Sequence, residues 1–171
     1  MIQSQVRQHG GSSARPTRNR SPAWLMRAAG PADPGRWSCE ESLTFLNELL
    51  EGERAGAKAL AHMAHDVRDP GVRALLREVE TVQAAFCVTL GREIEARGGR
   101  ASPAASRFYE KCLGQPNLKQ RIAFANRGQE SLARSIEAAL RTLPAGTFHE
   151  KLLSMLELHR RQIERWKLLL G

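Results

Sequence analysis

Cysteine is scarce in this chain of 171 residues: Cys39, Cys87 and Cys112 are an odd number, and no two of them stand as C-x-x-C. That argues against a disulfide framework and a thiolate zinc site, and free thiols fit a reducing, cytoplasmic location. Long apolar runs are missing too. No stretch approaches the roughly 20 apolar residues that cross a bilayer, and the N-terminal region lacks the apolar segment of a secretory signal, so no membrane partner is expected. No glycine-rich phosphate loop, catalytic-triad spacing or zinc motif is visible, and nothing identifies a substrate.

Acidic residues are nearly absent from the first 38 positions. Six arginines, from Arg7 to Arg36, face Asp33 alone there, a net +5 of the formal +8, which leaves 20 basic against 17 acidic residues elsewhere. A basic DNA-binding domain is not supported, and nucleic acid is expected to bind only through this basic tail. The segment is rich in Gly, Ser, Pro and Arg, with only the island Ala23 to Met26 to bury. It cannot offset the entropy of ordering. Residues 1–38 are therefore read as a disordered basic tail and 39–171 as one domain.

What the domain does have is helical periodicity. Ser38 and Glu41 form a capping box for a first helix over about 39–66, with the stripe Leu43, Leu46, Leu50, Glu53, Ala57, Leu60 and Ala64. Asp69-Pro70 opens a second helix carrying Val72, Leu76, Val79, Gln83, Phe86, Leu90 and Ile94 until Gly98-Gly99. Asn117 caps a third, with Leu118, Ile122, Ala125, Gln129, Leu132, Ile136 and Leu140. A second capping box, Thr147 with Glu150, starts a fourth carrying Phe148, Leu152, Met155, His159, Ile163, Trp166 and Leu170.

Each stripe is interrupted once by a polar residue: Glu53, Gln83, Gln129 and His159. At 1.5 Å per residue all four lie ~18 to 20 Å from a helix end. In one bundle they would form a central polar layer. Burying such groups unpaired costs roughly 1 to 3 kcal/mol each, so the layer is expected to be a hydrogen-bonded network or a ligand site.

The connection 98–116 is far longer than the few residues a simple hairpin needs. With a short helix around Phe108 to Leu113 it can travel the length of the bundle. The expected fold is all-α: a four-helix bundle with a long crossover between helices 2 and 3.

Two helical hairpins joined by a crossover, with carboxylate and histidine at mid-bundle, resemble the ferritin-like superfamily. The segments Glu51-Gly-Glu-Arg-Ala-Gly-Ala57, Phe108-Tyr-Glu-Lys111 and Asn126-Arg-Gly-Gln129 resemble a small bacterial branch of it. Di-iron members carry one Glu on each of two helices and Glu-x-x-His on each of the other two. Here Glu53 matches the first carboxylate, and Glu80 with Gln83 fills the first Glu-x-x-His spacing with an amide in place of the imidazole. Gln129 takes a second stripe position with Glu130 beside it, and Leu156 stands where a glutamate would precede His159. The ligand pattern is incomplete.

The expected function is therefore a non-catalytic binding or structural module, with no cofactor, built around the layer Glu53, Gln83, Gln129 and His159. The alternative implied by the resemblance is a divergent iron or manganese protein using Glu53, Glu80, Glu130 and His159 for oxidase-like or peroxide-consuming chemistry. A homodimer is expected by analogy with ferritin-like bundles. Among weaker candidates, His62, His65 and Asp66 are read as solvated groups at a helix C-terminus, and His149 as a lone first-turn residue. Cys87 is read as a small core residue and Tyr109 as a packing residue from the crossover.

Overall fold

Local chemistry starts and stops each helix. The computed structural model describes residues 37–170; residues 1–36, most of the expected tail, lie outside the described residues. Helix α1 spans Cys39–Asp66. Ser38 Oγ accepts from the Glu41 amide at 3.1 Å while Glu41 Oε2 accepts from the Ser38 amide at 2.8 Å, the reciprocal box that satisfies two orphan donors. Helix α2 spans Pro70–Ala96 under an Asp69 cap, and it ends where Gly98 turns at φ +71° and the Gly99 amide reaches back to Ile94 O at 3.0 Å.

Three further helices follow: α3 over Phe108–Leu113, α4 over Leu118–Leu140 with Asn117 as its cap, and α5 over Thr147–Leu170. The second capping box does not form. Thr147 is already inside α5, and the Glu150 amide donates to the Gly146 carbonyl at 3.0 Å instead.

Side-chain pairs give the helix directions. Lys151 of α5 pairs with Glu93 of α2, and further along α5 Arg165 pairs with Glu78, so these two helices run antiparallel. Leu132 of α4 lies over Gly52 of α1, whereas Ala125 joins Leu60 at the Trp166 level, so α1 and α4 are also antiparallel. With α1 and α2 a tight hairpin, α2 and α4 must run parallel. That is why the chain needs a crossover.

The crossover is held by the outer polar face of α1. The Asn47 side chain accepts from the Ser102 amide at 2.6 Å, Glu51 accepts from the Ser102 hydroxyl at 2.5 Å, and the Arg54 guanidinium donates to the carbonyls of Ser102, at 2.8 Å, and Ala104. These three residues stand at helical spacing, one above another. A loop that would otherwise carry unsatisfied backbone groups is thereby paired.

Apolar layers bracket the polar one. On one side lie Phe45, Leu46, Leu90, Ile94, Ile136 and Leu152, and on the other Leu60, Met63, Leu76, Val79, Ile122 and Trp166, all buried. On α4 the buried face differs from the expected stripe. Asn126, Ala133 and Ala139 are buried, while Leu118, Leu132 and Leu140 are half-exposed. A helix with 3.6 residues per turn buries a face broader than a single seam, and small side chains fit where neighbouring helices come closest.

Candidate functional site

The four interruptions are all buried. Glu53 and His159 have no exposed surface, and Gln83 and Gln129 expose 2% each. His159 Nε2 stands 2.7 Å from Glu53 Oε1, and its Nδ1 stands 3.4 Å from Gln129 Oε1. The two ring nitrogens thus face the Glu53 carboxylate on one side and the Gln129 amide on the other, so the ring joins three helices through polar side chains. Phe86, one turn beyond Gln83, lies against the His159 ring at 5.3 Å between centroids. The apolar wall lowers the local dielectric and strengthens the pair.

Gln83 reaches the layer from α2 by lying on Gly56. A Cβ at position 56 would meet the Gln83 amide oxygen at 2.7 Å and its nitrogen at 2.8 Å. The glycine is what makes room for the amide. Cys87, a turn further along α2, has its thiol pushed up to about 11, first by burial and then by the nearby Glu53 carboxylate. It is a poor nucleophile near neutral pH.

Several buried polar atoms in and beside the layer lack partners. Glu53 Oε2, Gln83 Oε1, Gln129 Nε2, Asn126 Oδ1, Gln162 Oε1 and Trp166 Nε1 are buried without a hydrogen bond. Asn126 and Gln162 are buried polar residues, a turn from the layer, that sequence reasoning missed. Each stands three residues from a stripe position, Asn126 from Gln129 and Gln162 from His159, so a wider helical face would have included them.

A cavity of about 170 Å³ opens beside the layer. Its walls include Gly56 and Leu60 of α1, Gln83, Gln129, Trp166 and the ring of Phe108 from the crossover. Phe108 enters because Gly128 has no side chain: a Cβ there would fall within 3 Å of the ring. The ring also stacks obliquely on Phe124, at 5.2 Å between centroids.

The second residue set is not gathered. Glu80 is partly exposed and paired with Arg77 at 3.0 Å, and Glu130 is likewise partly exposed. Among the described residues no three His, Cys, Asp or Glu side chains are grouped as a metal ion would need, so Glu53, Glu80, Glu130 and His159 do not form one set. At the far end of α1, His62 and His65 approach Asp66 at 3.4 and 3.1 Å, and the Tyr109 hydroxyl lies 3.4 Å from His62 Nδ1. The Asp66 carboxyl is held below its ordinary range chiefly by the His65 hydrogen bond. These are surface contacts, and Cys112 is a buried thiol of the α3 contact.

A family model described as a domain of unknown function, DUF6306, matches residues 40–168, and the chain belongs to that family. No curated protein matches the sequence. A solved structure described as ferritin like, diiron-carboxylate proteins from Bacillus anthracis str. Ames is similar, with a TM-score of 0.68 and 18% identity over 78% of this chain and 97% of that one. The fold is thus a ferritin-like helical bundle. Among the described residues no helix is long and apolar enough to cross a membrane.

Proposed function

We propose that this DUF6306 chain is a non-catalytic binding or structural module whose working part is the buried layer around Glu53 and His159. The observation that carries the reading is the direct 2.7 Å pairing of His159 Nε2 with Glu53 Oε1, flanked by two neutral amides. Two iron ions need bridging carboxylates and an imidazole apiece, and amides are weak donors beside either. Gln83 and Gln129 occupy the layer, and Leu156 is a buried hydrocarbon. The donor set does not fit a di-iron centre.

One observation favours a second reading. Glu53 and His159 meet at mid-bundle, as carboxylate and imidazole do in di-iron bundles, and the two could serve a single iron or manganese ion if Glu80 and Glu130 turned inward. Oxidase-like or peroxide-consuming chemistry would follow from such an ion.

Stability against metal separates the two. Protein purified without chelators is analysed for metal, and its Tm is followed as Fe(II) or Mn(II) is added. The module reading expects substoichiometric metal and an unchanged Tm. A metal-dependent rise that disappears in Glu53→Gln and His159→Ala would replace it with the metal reading, because only a ligand of the native state stabilises in proportion to its binding.

A further inference from the structure

The hollow beside the polar layer is walled by hydrocarbon from three elements: Gly52 and Leu60 of α1, Ala125 and Leu132 of α4, and the Phe108 ring of the crossover helix. Two of these side chains have fixed seats. A Cβ at position 52 would meet Leu132 Cδ2 at 2.8 Å, and one at position 128 would fall inside the Phe108 ring, so each of the two lies directly on a helix backbone. Held there, they border the space without filling it. Protein interiors pack to crystal-like density and seldom leave voids larger than a water molecule, whereas this one measures about 170 Å³.

The unpartnered polar atoms nearby take no part in it. Gln83 Oε1, Gln129 Nε2 and Trp166 Nε1 are sealed by the protein around them, so they cannot reach anything that enters. Ser106 and Ser131 carry the only hydroxyls among the lining side chains, and both are at least partly exposed, which marks them as the open side. A water molecule needs two to four polar partners to stay in a cavity, and an apolar cavity of ~150 Å³ stays dry and accepts benzene. Size and wall chemistry therefore agree. We propose that this hollow binds a small uncharged, apolar molecule about one six-membered ring in size, which enters past Ser106 and Ser131 and packs on Leu60, Phe108 and Ala125. This rests on the reading of the bundle as a binding module and gives that reading a ligand class.

The probe is toluene, with benzamide as a polar control of similar shape. On the full chain, toluene at about ten times its Kd is expected to raise Tm by roughly 3 to 6 °C, and crystals held under xenon pressure should carry xenon against Leu60, Phe108 and Ala125. Benzamide should bind roughly fivefold more weakly or worse, because its amide would leave water and gain no partner. Ala125→Val fills part of the space. It should weaken toluene binding by about fivefold or more while moving the unliganded Tm by no more than about 2 °C; where that variant does not fold, Leu132→Phe serves the same purpose. The proposal is overturned if saturating toluene leaves Tm unmoved, if the cavity of the xenon crystals holds only water, if benzamide binds as well as toluene, or if the filled variants keep full affinity. A toluene effect seen only after residues 1–36 are deleted also overturns it, since the hollow would then belong to that segment. Those outcomes leave the module reading standing when metal has no effect, whereas a metal-dependent Tm sinks that reading whatever toluene does.

Discussion

His159 Nε2 lies 2.7 Å from Glu53 Oε1 across 106 positions of sequence, with neither side chain exposed to solvent. Removing one member of such a pair strands the other in a medium that cannot solvate it. Glu53→Leu is therefore expected to cost about 3 kcal/mol or more, whereas Glu53→Gln keeps an acceptor for the ring and should cost about 1 kcal/mol. Urea unfolding of both variants checks this. Equal losses would show that charge, and not hydrogen bonding, holds the layer.

Gly128 and Phe108 make a second testable pair. In a helix interior Gly→Ala gains about 1 kcal/mol of propensity, but at position 128 the new methyl would enter the Phe108 ring. Gly128→Ala is expected to lose about 1 kcal/mol in the native background, since overpacking costs more than propensity returns. With Phe108→Ala already present, the same change should stabilise. A stabilising effect in both backgrounds would mean that the ring moves freely.

Trp37 divides the N-terminal region into two parts with different expected effects. Its indole donates to Thr142 Oγ1 at 2.8 Å and meets Phe45 edge to face at 5.0 Å. An edge-to-face pair contributes about 1 kcal/mol. Deleting residues 1–36 should leave Tm unchanged, and extending the deletion through Ser38 should lower it by several degrees, since the α1 cap is lost as well. Equal midpoints for the two truncations would show that neither contact matters.

Glu93 supplies the pH dependence. Burial pushes its carboxyl up, but hydrogen bonds from Lys151 and Arg97 outweigh this and hold it below 4.5. A depressed folded-state value means that the unfolded chain takes up a proton first. The contribution is complete well above the unfolded value and is lost as pH falls through the folded one. The stability gap between the native chain and Glu93→Gln should therefore be constant near neutrality and close below about pH 4. A gap that widens on acidification would reverse the sign and remove these ion pairs as its cause.

The thiols should separate by rate. Cys39 is exposed, Cys112 is buried, and the Cys87 thiol is raised to about 11 by burial and then by Glu53. Iodoacetamide at pH 8 should label Cys39 first and Cys87 at least tenfold more slowly, because the thiolate is the nucleophile. Rapid labelling of Cys87 would place it in a more polar setting than the bundle interior.

The helices themselves were legible from sequence because their signals are local. Ser38, Asp69 and Asn117 cap their own backbones, and apolar residues at steps of three and four mark one face of each helix whatever packs on it. The common height of Glu53, Gln83, Gln129 and His159 follows equally from the rise per residue. Partner choice is not local. That His159 takes Glu53 and Gln129, while Glu80 turns to Arg77, depends on helix rotation and separation, which no single stripe encodes. Asn126 and Gln162 became interior because close helix contacts bury more than one seam, and Gly56 and Gly128 each lack a side chain where a second element, the Gln83 amide or the Phe108 ring, fills the space. Such spaces are differences between packed volumes, and they are decided only when the helices meet.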